Sequence, residues 1–274
     1  MAIIHIDEGK CKKDGICARE CPAAIIRLRD GEGFPEMVPG GEDMCIACGH
    51  CVAVCPNAAF SHEHVPLEAS PDIKKELAVS LEQAVQFLRS RRSVRVFKDK
   101  PVERDDIKAL IEIARYAPTA SNAQPIEWLV ITDRAEIRKL AGMTVDWMRH
   151  LIQTVGEDDV VRYMPLIVAA WEAGVDVVLR NAPALVVASA SKEANNGLVD
   201  IAIALTYFEL ASGPMGLGGC WAGLLQGGLL NWPDLKQAVA LPEDHIHHYP
   251  MMLGYPKFPY HRMPERRKPK ITWR

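Results

Sequence analysis

The spacing of apolar positions changes near residue 62. Before it, cysteine, glycine and proline are dense and no helical period is sustained. Residues 63–79, EHVPLEASPDIKKELAV, combine two prolines with mixed charge and no apolar period, which predicts a linker between residues 1–62 and residues 80–274. From Ser80 the text becomes an ordinary mixture of helical and strand patterns. Ser80, with Gln83 three residues on, forms a capping-box pattern, and Leu81, Ala84, Val85 and Leu88 follow at helical spacing. A second helix is predicted from about 104 to 116, with Ile107, Leu110, Ile111 and Ala114 on one face and Pro118 as its stop. Residues 128–132 predict a short buried strand. Asp133 and Glu136 open a helix that Gly142 is expected to close, and residues 144–155 predict another. Residues 184–190 predict a buried strand and 197–211 a strongly apolar central helix. Strands are expected at 217–222 and 249–254, with a short helix near 233–239 between them.

Composition matters mainly for what it excludes. With 49% hydrophobic and 24% charged residues the chain has the balance of a soluble globular protein. A net charge of −3 gives no reason to expect nucleic acid or an acidic membrane as partner. The opening MAIIHIDEGKCKK lacks a basic region followed by an apolar one. The longest uncharged stretch, 210–230, is broken by glycines and by Pro214, so it predicts a loop and a buried strand rather than a membrane span. A cytoplasmic location is expected.

Cysteine usage changes the picture most. Seven of the eight cysteines lie between Cys11 and Cys55, and Cys220 stands alone. Disulfides suit neither a reducing compartment nor an odd number. Zinc sites usually take two Cys-x2-Cys pairs across a longer spacer. Here two similar runs occur instead. The second reads Cys45-x2-Cys48-x2-Cys51-x3-Cys55-Pro56; the first, Cys11-x2-Asp14-x2-Cys17-x3-Cys21-Pro22, has aspartate where the second cysteine would stand. This spacing resembles the bacterial two-cluster ferredoxin domain over residues 1–60. In that family the fourth cysteine of each run serves the other cluster. The resemblance therefore implies one [4Fe–4S] cluster on Cys21, Cys45, Cys48 and Cys51. It implies a second on Cys11, Cys17 and Cys55, with Asp14 at the fourth corner. A carboxylate is a harder ligand than a thiolate and holds cluster iron more weakly. The second cluster is then either an Asp14-ligated four-iron form, the favoured reading, or [3Fe–4S] with that corner empty.

Three further runs carry candidate chemistry. Arg91-Arg92-Ser93-Val94-Arg95 follows the first helix of the second part. Arginines there offset the helix dipole, and the same run also suits a phosphate clamp, since guanidinium presents paired N–H donors. Ser121-Asn122-Ala123-Gln124-Pro125 reads as a turn, yet Asn122 and Gln124 both donate and accept, which suits the edge of a flat heterocycle. Gly216-Leu217-Gly218-Gly219-Cys220-Trp221 reads as a helix end leading to a strand, and its glycines would also let backbone approach a ring. His245, His247 and His248 read as structural histidines before a strand rather than as a metal site.

Taken in order, these runs and Leu253-Gly254-Tyr255-Pro256 resemble the nitroreductase family of FMN proteins over residues 80–274. The resemblance implies an α+β fold with a mainly antiparallel sheet flanked by helices, following the small two-cluster ferredoxin-like domain. It implies a homodimer with FMN at the interface. Arg91, Arg92, Ser93 and Arg95 would contact the FMN phosphate and ring edge, joined by Arg267 from a basic tail. Ser121, Asn122 and Gln124 would approach the flavin from the other subunit, and Gly218 and Gly219 would lie near the ring. Residues 271–274 could add a strand to the partner subunit. No side-chain acid or base is implied. Residues 143–182, with Asp146, Trp147, Arg149, His150 and Tyr163, would shape the substrate pocket.

The expected activity is an FMN-dependent oxidoreductase. Electrons would pass from the clusters to flavin and then to a small organic acceptor, such as a nitro compound, quinone or activated alkene; a redox partner protein could supply them. One alternative is an NAD(P)H-driven nitroreductase with the clusters as exit or store. Another is a non-enzymatic electron carrier or redox sensor.

Overall fold

The computed structural model of the chain describes residues 3–155 and 162–274. The chain divides into two compact units, Met1–Val79 with Ser121–Ala123, and Ser80–Ala120 with Gln124–Arg274.

The first unit is built from very short elements: β1 (Ile4–Ile6), α1 (Ile16–Glu20), β2 (Ile26–Leu28), β3 (Pro35–Met37), α2 (Gly41–Met44), α3 (His50–Ala53) and β4 (Phe60–His62). β1 pairs antiparallel with β4, and β2 with β3. Its apolar core is small: Ile25, Ile26, Val52 and Phe60 close around Cys17 and Cys51. Such a core leaves little hydrophobic stabilisation, and small domains of this kind usually draw on metals or disulfides for the rest.

The second unit contains α4 (Leu81–Ser90), α5 (Arg104–Ala114), β5 (Glu127–Ile131), α6 (Arg134–Val155), α7 (Met164–Glu172), β6 (Ala184–Ala190), α8 (Gly197–Ser212), β7 (Gly218–Trp221), α9 (Gly223–Asn231), α10 (Pro233–Val239) and β8 (His247–Gly254). Its sheet runs in the order β5-β6-β8-β7, with every pair antiparallel. Strand alternation sends β6 side chains to two cores. Leu185 and Val187 face α6, α9 and α10, packing with Leu140, Leu225 and Leu235. Val186 and Ala188 face α5 and α8, packing with Leu110, Leu205 and Phe208. The result is a sheet with helices on both faces, and β6 is buried throughout.

Local signals explain several elements. The Ser80 hydroxyl accepts from the Gln83 N–H at 3.2 Å, and the Gln83 carboxamide oxygen accepts from the Ser80 N–H at 2.9 Å. Asp133 caps α6 through the Glu136 N–H at 2.9 Å. Gly142 does not end that helix, which continues to Val155. A Cβ at 142 would lie 3.1 Å from the Trp171 ring, so the glycine serves the contact with α7. The uncharged 210–230 stretch includes a helix, α9, as well as a strand. Among the described residues, no helix is long and apolar enough to cross a membrane.

Candidate functional site

The two cysteine runs fold alike. Lys13 and Ala47, each two residues past the first cysteine of a run, have φ of 58° and 48°. Gly15 and Gly49 follow with φ of 68° and 71°. Ala24 and Ala58, three past the last cysteine, repeat the left-handed conformation at 53° and 47°. Left-handed backbone at non-glycine residues costs on the order of 1 kcal/mol or more at each position, and it persists where the surroundings over-determine it. Two such residues and one glycine, at matched positions, wind each run around a centre.

Those centres are two cavities. Cys21, Cys45, Cys48 and Cys51 line one, together with His62. Cys11, Asp14, Cys17 and Cys55 line the other. Each cavity thus draws one cysteine from the opposite run. The donors surround a space instead of converging on a point, and thiolate is the donor type that suits cluster iron. Asp14 occupies the place that Cys48 holds in the second run, and its Oδ1 accepts from the Ile16 N–H at 3.1 Å. The Cys55 Sγ accepts from the Ala59 N–H at 3.3 Å.

These thiols are costly to ionise without a cation. Burial pushes the Cys51 thiol up to about 11, with Cys48 and Cys21 adding to the rise. Burial also raises Cys17, helped by its neighbours Cys11 and Cys55. Bound iron would reverse that preference, because a coordinating thiol deprotonates. Cys220 is different: it lies in β7, buried, with its thiol also raised by burial, as befits a core residue.

In the second unit the Arg91–Arg95 run leaves α4 and lies against β7. The Val94 N–H donates to the Gly219 carbonyl at 2.9 Å. A Cβ on Gly218 would come within 2.4 Å of Val94, so this glycine is needed for the close seating of the run. Arg91, Arg92, Gly218 and Gly219 line a cleft of about 410 Å³, within the usual range for small-molecule sites. Arg91 and Arg92 also border a neighbouring cleft with Arg89, Arg266, Arg267 and Lys268. This concentration of cations fits a phosphate ester. Arg95 is exposed and turns back on the Ser93 carbonyl at 3.5 Å.

Glu209, on α8, completes the cleft. Its Oε1 accepts from Arg91 Nη1 at 2.8 Å, and its Oε2 from Trp221 Nε1 at 3.1 Å. It is not among the residues singled out from the sequence. The available signal was an acid inside an otherwise apolar helix, a setting that acids rarely occupy unless paired.

Ser121, Asn122 and Gln124 all have left-handed backbone, at φ of 51°, 54° and 47°. Ser121 and Asn122 belong to the first unit, where the Asn122 amide donates to the carbonyls of Ile46 and Ala47 at 3.0 and 3.1 Å. Gln124 belongs to the second, and its N–H donates to the Thr119 hydroxyl at 2.9 Å.

His245 and His248 are buried and have hydrogen-bond partners. The Ser189 hydroxyl lies 2.9 Å from His245 Nδ1, and Gln226 Oε1 lies 3.1 Å from His248 Nδ1. Of the 143–182 segment, residues 156–161 lie outside the described residues. Trp147, His150 and Tyr163 line a cavity with Trp232.

Comparison with known proteins supplies the frame. Residues 88–255 match the Nitroreductase family, and residues 3–56 match the 4Fe-4S dicluster domain. A relative from Archaeoglobus fulgidus, provisionally named an NADH dehydrogenase/NAD(P)H nitroreductase, is 24% identical over 65% of this chain and 87% of its own. Ferredoxin 7Fe of Hydrogenibacillus schlegelii is 42% identical over 23% of this chain and 76% of its own. Among solved structures, a nitroreductase with bound FMN from Bacteroides fragilis has the same fold. It superposes with a TM-score of 0.58 at 20% identity, over 69% of this chain and 97% of that one.

Proposed function

The chain belongs to the nitroreductase family and carries a 4Fe-4S dicluster domain at its N-terminal end, and from that premise we propose an FMN-dependent oxidoreductase fed by its own iron–sulfur clusters. The observation that carries this reading is the pair of cysteine-lined cavities in a chain that also has an arginine-lined cleft. Residues 1–62 form the ferredoxin-type domain, 63–79 the linker and 80–274 the FMN domain. Cys21, Cys45, Cys48 and Cys51 hold a [4Fe–4S] cluster. Cys11, Cys17 and Cys55 hold the second, with Asp14 at its open corner. The name of the ferredoxin relative, with seven irons, favours a three-iron form there.

Arg91, Arg92 and Arg267 bind the FMN phosphate, while Ser93 and Arg95 supply further donors. Glu209 fixes the direction of the Arg91 guanidinium. Gly218 and Gly219 line the cleft near the ring, and their missing side chains leave room for Val94 and for Met251. Ser121, Asn122 and Gln124 approach from a second copy of the chain in a homodimer. Bound FMN would supply the junction between one-electron donors and a two-electron organic acceptor. The side chains bind and orient; none is assigned as acid or base.

Protein prepared without oxygen is expected to be brown, to contain seven or eight irons per chain and to release FMN on denaturation. Zinc in place of iron, or a chain without flavin, would sink the reading. A second reading, direct reduction by NAD(P)H, is favoured by the name of the Archaeoglobus relative. Anaerobic titration separates the two. Rapid flavin bleaching by NAD(P)H alone supports the second, whereas turnover of an acceptor only with a low-potential one-electron donor supports the first.

A further inference from the structure

One buried imidazole adjoins the first cavity. His62 ends β4, is 2% exposed, and places Nε2 3.4 Å from the Sγ of Cys45. Two features fix the ring. β4 pairs with β1 through the register Ile4 to His62, and the chain then turns so tightly that Val65 bridges back to His62. That turn aims the backbone N–H of His64 at His62 Nδ1, at 3.0 Å.

The second contact sets the tautomer. A backbone N–H can only donate, so Nδ1 must be the accepting, unprotonated nitrogen. A neutral ring then carries its hydrogen on Nε2. The hydrogen therefore points along the Nε2 to Cys45 line, and the sulfur is the acceptor. A thiolate that receives a hydrogen bond gives less charge to iron, and hydrogen bonds to the sulfurs are among the features that set cluster potential.

We propose that His62 is a positioning residue for electron transfer: its Nε2–H donates to the Cys45 thiolate and raises the reduction potential of the cluster on Cys21, Cys45, Cys48 and Cys51. The inference rests on the reading of those four cysteines as a cluster site. It places an imidazole donor on that cluster, whereas Cys55 of the other set receives the backbone N–H of Ala59. Reduction adds one electron to the cluster core, and no proton need move, since the Nε2 hydrogen stays on nitrogen in both states.

The test is an anaerobic redox titration of the intact holoprotein, poised with mediators and followed by electron paramagnetic resonance. His62→Leu is expected to lower the ratio of reduced to oxidised cluster about ten-fold at the wild-type midpoint, equivalent to 59 mV for a one-electron couple. His62→Gln, whose carboxamide can still donate, is expected to fall between the two. The cluster on Cys11, Cys17 and Cys55 serves as internal reference and should not move. The sign separates the proposal from a merely structural role, because water admitted beside the cluster would raise the potential. An unshifted or raised midpoint in His62→Leu overturns the proposal. If that variant assembles no cluster, wild-type protein labelled with ¹⁵N-histidine decides by pulsed resonance. A weakly coupled imidazole nitrogen that disappears in His62→Gln is expected; its absence, or the strong coupling of an iron-bound nitrogen, overturns the proposal. A wild-type protein without iron would end both this inference and the reading beneath it.

Discussion

Asp200 and Glu209 are the only charged side chains on α8, and both are buried because both are paired. Asp200 accepts the Ala120 N–H at 3.1 Å. Glu209 binds Arg91 and the Trp221 indole at once. Replacing Glu209 with alanine would leave a half-buried guanidinium and an indole N–H without their acceptor. The expected cost is about 2–4 kcal/mol, since removing one partner of a buried pair costs more than the pair itself contributes. Glu209→Gln keeps an oxygen for one donor and should cost less. Urea unfolding of the two variants checks this, and an equal midpoint for wild type and Glu209→Ala would show the pair to be idle. A second residue contributes to the acid limb of stability. Burial, reinforced by Lys236 and His247, lowers the pKa of His248 below 6.5. The folded form keeps His248 neutral while the unfolded chain takes up a proton. Its contribution is therefore complete above the unfolded pKa and lost as pH falls toward the folded one. The slope is at most about 1.4 kcal/mol per pH unit. Urea midpoints between pH 7.5 and 5.5 should fall, and His248→Gln should flatten that fall.

At the level of elements, packing overrides propensity in α9. A glycine in a helix normally gives up to about 1 kcal/mol when changed to alanine. At Gly227, however, a new Cβ would stand 2.9 Å from the rigid, buried Trp147 ring. Overpacking of that kind costs about 1–3 kcal/mol, which exceeds the propensity gain. Gly227→Ala should therefore destabilise the second unit, read as a lower urea midpoint with an unchanged slope; a raised midpoint would show that propensity wins. The same contest explains what could be read in advance. β6 was legible because a short β-branched and small apolar run with turn signals has few alternatives. α4 and α6 were legible at their starts because capping residues act locally. Helix α9 was not, since GLLQGGLLN is apolar on every side and rich in glycine, so no period marks it. Gly142 misled for a related reason, because the Trp171 ring that requires it lies far along the chain. The gathering of each cysteine run around a cavity was legible, as spacing within a tight loop is a local property. Glu209 and His62 were not, because each acquires its role from a partner that only tertiary structure supplies.

For the molecule as a whole, α4 poses a question of cover. It is a helix of 10 residues in which no side chain is buried, although its apolar residues fall at helical spacing. Helices shorter than about 12–15 residues are marginal in water unless an apolar face is packed. Leu81 is 80% exposed and Leu88 is 56% exposed, and near the C-terminus Trp273 is 87% exposed. Burial of a leucine side chain is worth about 1.5–3 kcal/mol, so a second copy seated on α4 would gain several kcal/mol from this face alone. The proposed homodimer supplies that cover. Sedimentation equilibrium should give twice the 30.4 kDa chain mass for the wild type. Leu81→Asp combined with Leu88→Asp places two charges where the partner would pack, and should shift the protein to the mass of one chain. These positions are exposed in the single chain, so the change costs the monomer little, and helix content by circular dichroism should show the folded unit retained. If the double variant sediments as the wild type does, α4 is not at the interface. If the wild type itself has the mass of one chain, the proposed flavin site, which draws Ser121, Asn122 and Gln124 from a second copy, cannot form as described.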